Sequence, residues 1–285
     1  MNEGEAAYID GLLDRAIDED LGESGDRTSN ALFAEGDSAE AVIRSKETGV
    51  LSGAFLIEPL FSKIDASVEI TLGCDDGSPL FRGGEICRLK GPIRGILAGE
   101  RIALNFLQRL SGIATLTSHY HAAIAHTPAR LLDTRKTTPG LRLLERLAVR
   151  HGGGTNHRFG LFDMMLIKDT HVKHAGGVTA ALEKAMHSRG AGILPKIEVE
   201  VQSMDEFDEA LQFPPDRIML DNMSLSAMRQ CVARKLAAGV AVELEASGNI
   251  TLESIAAVAE TGVDFISCGA ITHSAKALDI HLIIA

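Results

Sequence analysis

The sequence lacks the features that would place the protein in a membrane or outside the cell. Among 285 residues it has no tryptophan, two tyrosines and 4% aromatic residues. Its most apolar stretch, residues 102–116, is interrupted by Asn105, Gln108 and Arg109, so no run reaches the about 18 apolar residues of a membrane helix. The first 20 residues contain no basic segment followed by an apolar one, as a secretory signal would. We therefore expect a cytoplasmic protein with no membrane partner.

Cysteine and positive charge are also scarce. The four cysteines lie far apart in the chain, without the paired spacing of a disulfide framework or a zinc site: Cys74, Cys87, Cys231 and Cys268. The formal net charge is -11, which disfavours nucleic acid as a partner because such partners select basic surfaces. Residues 130–173 are the exception, with nine Lys or Arg against four Asp or Glu. A basic segment in an acidic chain indicates a site for a small anion.

The hydrophobic pattern predicts two domains. Up to about residue 110 it indicates a helix and then strands, one of them marked by the alternation of Val68, Ile70 and Leu72. A long helix is predicted over 98–122. After about residue 128, short apolar runs alternate with helical segments, and this repeat is typical of a parallel sheet. The number of units favours a barrel over a doubly wound sheet. The predicted strands are 130–133, 165–168, 196–201, 217–221, 240–247 and 265–269.

Polar residues end these apolar runs. In such barrels the carboxyl ends of the strands, with the loops that follow, build the active site. The strand 196–201 also places Lys196, Glu198 and Glu200 on one face, although parallel strands are normally apolar on both. Such charges need either a ligand or partners of opposite charge. Internal salt bridges among them are therefore the alternative to a ligand site. The polar strand ends are Asp133, Lys168, Glu200, Asp221, Glu245 and Ser267.

The loop after the first of these strands carries Arg135 and Lys136, followed by Thr137. Arginine binds a carboxylate or phosphate through two parallel hydrogen bonds, whereas lysine acts as a point charge. Together with His157-Arg158 and Lys168, these residues suit an anion with two or more charges. The glycines at 152–154 either let the backbone approach a ligand or end a helix.

Two further groups of residues indicate a phosphorylated sugar. Glu200 and Asp221 end successive strands, so their carboxylates suit magnesium, directly or through water. They equally suit hydrogen bonds from ribose hydroxyls, or the stabilisation of positive charge that develops on a sugar ring. Small-residue turns follow the last two strands, where many barrels bind phosphate. These turns contain Ser247, Gly248 and Asn249, and then Ser267 and Gly269.

Beyond these patterns, the run DTRKTTPGLRLLERLAVRHGGGTNHRFGLFDMMLIKDTH (133–171) closely resembles the quinolinate phosphoribosyltransferase family. Supporting matches run from near the beginning of the chain to near its end. They are EDLGESGDRTS (19–29), GVLSG (49–53), GERIALNFLQRLSGIAT (99–115), IEVEV (197–201), IMLDN (218–222), EASGNI (245–250) and GVDFISCGAITHS (262–274).

The resemblance implies a fold and an assembly. The expected fold is α/β, with a smaller N-terminal α/β sandwich domain (1–110, completed by about 275–285) and an incomplete, seven-stranded parallel α/β barrel (111–274). A homodimer or higher even oligomer is implied, in which Arg101 reaches the neighbouring subunit's site.

The resemblance also implies site residues. The cradle for two carboxylates and neighbouring phosphates would be Arg101, Arg135, Lys136, His157, Arg158 and Lys168. Glu200 and Asp221 would serve the ribose hydroxyls and Mg²⁺, and together with Lys136 and Lys168 they are the expected catalytic residues. Ser247, Gly248, Gly269 and His273 resemble the sugar-phosphate loops.

The implied reaction joins quinolinate to phosphoribosyl pyrophosphate with loss of CO₂ and pyrophosphate, giving nicotinate mononucleotide in NAD biosynthesis. Two positions depart from the family pattern: Thr170 replaces a usual Asn, and Asn249 replaces the second glycine after Ser247. The alternatives are a paralogue of the molybdenum-transport-associated branch, acting on another substrate, and a catalytically silent anion-binding protein.

Overall fold

The computed structural model describes residues 3–188 and 195–284, so residues 1, 2, 189–194 and 285 of the predicted domains lie outside it. The chain folds into two compact units. The first unit contains residues 3–118, 137–153 and 275–284, and the second contains 119–136, 154–188 and 195–274. The predicted division near residue 110 stays a prediction.

Eleven α-helices lie in the described residues, together with one 3-10 helix at Ala54–Leu56. The α-helices are α1 (Glu3–Leu21), α2 (Arg27–Leu32), α3 (Ile57–Ile64), α4 (Ile93–Ile124), α5 (Arg142–His151), α6 (Asp169–Ala175), α7 (Val178–Ser188), α8 (Met204–Gln212), α9 (Leu225–Ala238), α10 (Ile255–Ala259) and α11 (Ala270–His273).

The same residues contain twelve strands. They are β1 (Ser38–Ser45), β2 (Gly49–Val50), β3 (Glu69–Leu72), β4 (Pro79–Leu80), β5 (Glu85–Pro92), β6 (Arg130–Leu132), β7 (Met165–Ile167), β8 (Ile197–Val201), β9 (Arg217–Asp221), β10 (Glu243–Ser247), β11 (Phe265–Ser267) and β12 (Ile280–Ile284).

The first unit is built on a four-stranded sheet with the order β12-β1-β5-β3, in which every neighbouring pair is antiparallel. Ile43, Ile86 and Leu89 in its central strands are fully buried. The predicted alternation around Val68 corresponds to β3, which lies at the edge of the sheet and leaves Leu72 43% exposed. The last strand of the chain therefore pairs with the first, which pairs with β5 on its other side.

The second unit is built on a six-stranded sheet with the order β6-β11-β10-β9-β8-β7, and all its pairs are parallel. Capping residues mark where the helices after β8 and β9 begin. The Ser203 side chain accepts the N–H of Glu206 at the start of α8, and the Ser224 side chain accepts the N–H of Ala227 at the start of α9. Gly239 ends α9 in the left-handed conformation, at φ 64°. Such repeated units bring the carboxyl ends of the strands to one edge of the sheet.

The predicted α/β class, the parallel sheet and the smaller N-terminal sheet are confirmed. The seventh strand and the closure of a barrel stay predictions, and six strands are present in the described sheet, with one more bridge between Leu132 and Thr155. Among the described helices, none is long and apolar enough to cross a bilayer.

The first of the three glycines at 152–154 ends a helix. Gly152 caps α5, and its N–H donates to the carbonyl oxygen of Ala148. A Cβ atom at Gly152 would come 2.3 Å from the carbonyl oxygen of Ala114, so this glycine also serves the packing of α5 on α4 within the first unit.

Candidate active site

A cavity of about 620 Å³ opens at the carboxyl ends of the strands of the second unit. Every residue that lines it belongs to that unit. Thirteen of the residues predicted from sequence line it: Arg135, Lys136, His157, Arg158, Lys168, Glu200, Asp221, Ser247, Gly248, Asn249, Ser267, Gly269 and His273. Arg101 and Thr137 belong to the first unit, and their predicted contributions stay predictions.

Four permanent cations line the cavity, two in the loop after β6, one in the segment between α5 and β7, and one directly after β7. Arg135, Lys136 and Lys168 are less buried than Arg158, which is 8% exposed and donates from Nη1 to the carbonyl oxygen of Met164 at 3.0 Å. Burial and the neighbouring charge of Arg135 lower the pKa of Arg158. The two guanidinium groups are close enough for their positive charges to repel each other. A bound anion would relieve this repulsion.

A layer of buried charges lies beneath this part of the cavity. Nε2 of His157 is 3.0 Å from Oε2 of Glu198 and 3.5 Å from Oε2 of Glu245. Arg217 donates from Nη1 to Glu245 at 2.7 Å and from Nη2 to Glu243 at 2.9 Å, and its guanidinium lies 4.0 Å from the centre of the Phe265 ring. Glu198 and Glu245 are fully buried. Internal ion pairs are therefore present, but Glu198 and Glu245 pair with His157 and Arg217 rather than with other charges at the strand ends.

The His157–Glu198 pair holds a proton at neutral pH. Burial alone would lower the pKa of His157, but the hydrogen bonds that the Glu198 and Glu245 carboxylates accept from its ring raise it to about 10. Burial and the charge of Glu245 raise the pKa of Glu198 to about 7. Nε2 of His157 faces Glu198, so the proton that the pair holds lies between these two side chains.

Asp133, directly after β6, positions the neighbouring loop. One carboxylate oxygen accepts the side-chain N–H of Asn156 at 2.6 Å, and the other accepts the backbone N–H of His157 at 2.6 Å. Asp133 is fully buried, so it is a strand-end carboxylate that supports the basic loop rather than lining the cavity.

Glu200 and Asp221 line the cavity from neighbouring strands. Oε1 of Glu200 lies 3.9 Å from Nζ of Lys168, and Oδ2 of Asp221 accepts the side-chain N–H of Gln202 at 3.2 Å. Burial raises the pKa of Glu200, Lys168 opposes that rise, and the charge of Asp221 adds to it. The two carboxylates repel each other electrostatically. Their oxygens are hard donors of the kind that Mg²⁺ prefers in proteins.

Small residues form the two remaining turns. Gly248 has φ 98°, and Asn249 follows it with φ 50°. At the second turn, a Cβ atom on Gly269 would come 3.0 Å from Cδ of Lys136 and 3.1 Å from the His273 ring, so glycine is what lets Lys136 lie against this turn. Thr272 fixes the same loop by donating to the carbonyl oxygen of Lys136 at 2.9 Å.

Thr134 and Asn222 are among the lining residues that were missed from the sequence. Thr134 stands next to Arg135, and its hydroxyl accepts the N–H of Lys136 at 3.1 Å. Asn222 follows Asp221 and lies in the left-handed region at φ 55°. Their positions just after strands were the available signal, because strand ends meet at one edge.

Two family models match the chain. The N-terminal domain of quinolinate phosphoribosyl transferase matches residues 26–111, and the C-terminal domain matches residues 113–283. Together they cover most of the sequence.

Whole proteins are similar as well. A probable carboxylating nicotinate-nucleotide pyrophosphorylase of Bacillus subtilis is 44% identical over 271 residues, which are 95% of this chain and 91% of the relative. A decarboxylating quinolinate phosphoribosyltransferase of Nicotiana tabacum is 41% identical over 96% of this chain and 81% of its own. The structure of the nicotinate-nucleotide pyrophosphorylase from Francisella tularensis superimposes with a TM-score of 0.91 at 40% identity, covering 98% of this chain and 96% of that one. The chain therefore belongs to the quinolinate phosphoribosyltransferase family.

Proposed function

We propose that the protein transfers the phosphoribosyl group of phosphoribosyl pyrophosphate to quinolinate with decarboxylation, giving nicotinate mononucleotide, pyrophosphate and CO₂ in NAD biosynthesis. One observation carries the proposal: a single cavity combines four cations, two carboxylates on neighbouring strand ends and two small-residue turns. Relatives that are named for these activities, at 41–44% identity, support it.

Quinolinate is a small ring with two adjacent carboxylates, and the cationic side of the cavity fits it. Arg135 and Arg158 offer planar forks for the carboxylates, and Lys168 adds a point charge. Because Arg158 is buried and fixed by Met164, it is the more preorganised of the two arginines. We infer that the layer around His157 keeps this wall rigid below the ring.

Phosphoribosyl pyrophosphate fits the opposite side. The 5-phosphate would bind at the turns after β10 and β11, whose residues Ser247, Gly248, Ser267 and Gly269 let the backbone approach closely. Glu200 and Asp221 would accept hydrogen bonds from the ribose hydroxyls. Lys136, which lies against the second turn, would face both substrates.

The reaction needs no nucleophilic side chain. The bond between ribose C1 and the pyrophosphate oxygen breaks, and the pyridine nitrogen supplies the electron pair for the new bond to C1. Positive charge that develops on the ribose is stabilised by the nearby carboxylates. The carboxylate at ring C2 then leaves as CO₂, and the electron pair of the broken bond stays on C2 beside the positive nitrogen. That pair binds a proton from solvent, which takes the place of the carboxylate. Side chains of the cavity orient the substrates and stabilise charge.

We propose Mg²⁺ as the cofactor. Glu200 and Asp221 are the residues that would hold it, directly or through water, with the substrate's phosphate oxygens as the other ligands. When bound, the ion neutralises the departing pyrophosphate. The charge repulsion between the two carboxylates supports this assignment, because a cation relieves it.

We further propose a homodimer or higher even oligomer in which Arg101 reaches the neighbouring site, and a cytoplasmic location. Support for the first is the family resemblance of the segment around Arg101. The cytoplasmic location is supported by the four cysteines, all of which are free thiols. Cysteines stay in this state in a reducing compartment.

The test is the release of products from purified protein with phosphoribosyl pyrophosphate and Mg²⁺. We expect CO₂ and pyrophosphate in equal amounts when quinolinate is supplied, and neither when nicotinate replaces it. Chelation of Mg²⁺ should stop both releases, and its replacement should restore them. Activity with nicotinate alone would point to a paralogue with another substrate, and inactivity with both would point to an anion-binding protein; either result contradicts the proposal.

A further inference from the structure

Two asparagines at adjacent strand ends have an unusual backbone conformation. Asn222 follows β9 with φ 55°, and Asn249 lies two residues after β10 with φ 50°. In the described part of the chain they are the non-glycine residues with positive φ. Asparagine tolerates this region better than most residues, but the conformation still costs free energy, so surrounding contacts must hold it.

The two side chains are joined. The amide N–H of Asn249 donates to Oδ1 of Asn222 at 3.0 Å, and the backbone N–H of Asn222 donates to the carbonyl oxygen of Ser247 at 2.8 Å. Between them lies Gly248, where a Cβ atom would come 2.2 Å from Oδ1 of Asn222. The Asn222 side chain therefore lies directly over the backbone of the turn.

This arrangement fixes the turn where the proposed phosphate would bind. Within the described residues, the backbone N–H groups of Gly248 and Asn249 donate no hydrogen bond. Both residues line the cavity, so these donors are available to an anion there. Because Asn222 directly follows Asp221, the same contact also links the turn to one of the proposed ribose carboxylates.

We propose that Asn222 and Asn249 form a clasp, the hydrogen-bonded pair described above, that positions the turn 247–249 for the 5-phosphate of phosphoribosyl pyrophosphate. The inference rests on the proposed function. Asn222 and Asn249 are positioning residues in it, and the backbone of the turn makes the contact with phosphate. The Asn249 side chain supplies a hydrogen bond that glycine could not make, which rigidifies a turn that would otherwise be more flexible.

The experiment compares Asn222→Gly, Asn249→Gly and the double variant with the unchanged protein. Glycine adopts positive φ without strain, so Asn249→Gly removes the clasp and keeps the turn's conformation accessible. Gln230→Ala is the matched control, since Gln230 is an exposed amide on α9 whose bond goes to Ser226 in the same helix. Thermal unfolding of each variant shows whether it is folded.

We expect each single change to raise the KM and the dissociation constant for phosphoribosyl pyrophosphate about two- to tenfold, the range for one hydrogen bond. The dissociation constant for quinolinate should stay within experimental error, and Gln230→Ala should match the unchanged protein. The double variant should bind no more weakly than the weaker single variant, because both changes remove the same bond.

Two results would overturn the clasp. Effects that multiply in the double variant would mean that the residues act independently, and an equal loss of quinolinate affinity would mean a general distortion. Ribose 5-phosphate binding, measured by calorimetry, separates this inference from the proposed function. If the protein makes no nicotinate mononucleotide but the variants bind ribose 5-phosphate more weakly, the clasp stands and the proposed reaction fails.

Discussion

Replacing Arg217 by methionine should destabilise the second unit by about 3–5 kcal/mol, the usual cost of removing one partner from a buried ion pair. Methionine keeps an apolar stem against Phe265, so the change isolates the loss of charge. Arg217 is 8% exposed, and its partner Glu245 is fully buried. Without the 2.7 Å hydrogen bond from Arg217, the Glu245 carboxylate would face Glu198 with only His157 to compensate it.

A matched surface pair supplies the control. Lys196 lies 3.4 Å from Glu243, which also accepts from Arg217, but the Lys196 side chain is 57% exposed. Exposed pairs contribute about 0–1 kcal/mol, so Lys196→Ala should leave stability almost unchanged. The double variant Arg217→Met with Glu245→Gln removes both charges of the buried pair. It should recover at least half of the stability that Arg217→Met loses.

Urea unfolding followed by circular dichroism gives the free energies, since the chain has no tryptophan for fluorescence. Hydrogen exchange of peptides from β9 and β10 reports the second unit directly. In the unchanged protein, burial would raise the pKa of Glu245, but His157 and Arg217 hold it below its ordinary value. The resulting stability is present above the unfolded pKa and lost as the pH falls through the folded one. The deficit of Arg217→Met should therefore shrink in acid, and a loss no larger than that of Lys196→Ala would refute the reasoning.

Three further predictions concern the site. Because the pKa of His157 is raised from 6.5 to about 10, the protonated side chain should contribute fully to the free energy of unfolding below pH 6.5, and this contribution should be lost as the pH rises through 10. Urea titrations at several pH values should show the decline, and the His157→Gln variant should show a weaker dependence on pH. Arg135→Ala should weaken quinolinate binding about 10- to 100-fold in calorimetry, whereas the exposed helix residue Arg229→Ala should not, and equal affinities would remove Arg135 from the site. Arg101→Ala and Lys136→Ala proteins, each inactive alone, should regain activity when mixed, because a mixed dimer contains one intact site; no recovery despite subunit exchange measured by mass spectrometry would contradict a shared site.

The strands of the second unit were largely predictable from the sequence. Strand β9 has the predicted bounds, because a continuous apolar run ends at a charged residue on the rim. Strand β10 begins at Glu243, three residues later than predicted. The apolar residues at 240–242 extend the run in sequence, but α9 ends only at Gly239, and the chain needs these residues to return to the sheet.

Contacts that depend on register were not predictable in the same way. The face shared by Lys196, Glu198 and Glu200 was identified, but Lys196 precedes β8 and pairs with Glu243 at its exposed end. The pairing of Arg217 with Glu245 requires that β9 and β10 align Arg217 with Glu243, which period-two patterns within each strand do not specify. Equally, nothing in the sequence indicates that Asn222 and Asn249 share a hydrogen bond 27 residues apart.

Burial decides which charges of this sheet are available to a ligand. Glu198 and Glu245 are fully buried, and their charges are compensated by His157 and Arg217, so adding a substrate anion above them does not require them to reorganise. The exposed Arg135, in contrast, has no ion pair among the described residues, and an anion in the cavity would be its first strong partner. A compensated layer beneath the unpaired Arg135 favours anions in the cavity, although the chain as a whole carries a net charge of -11.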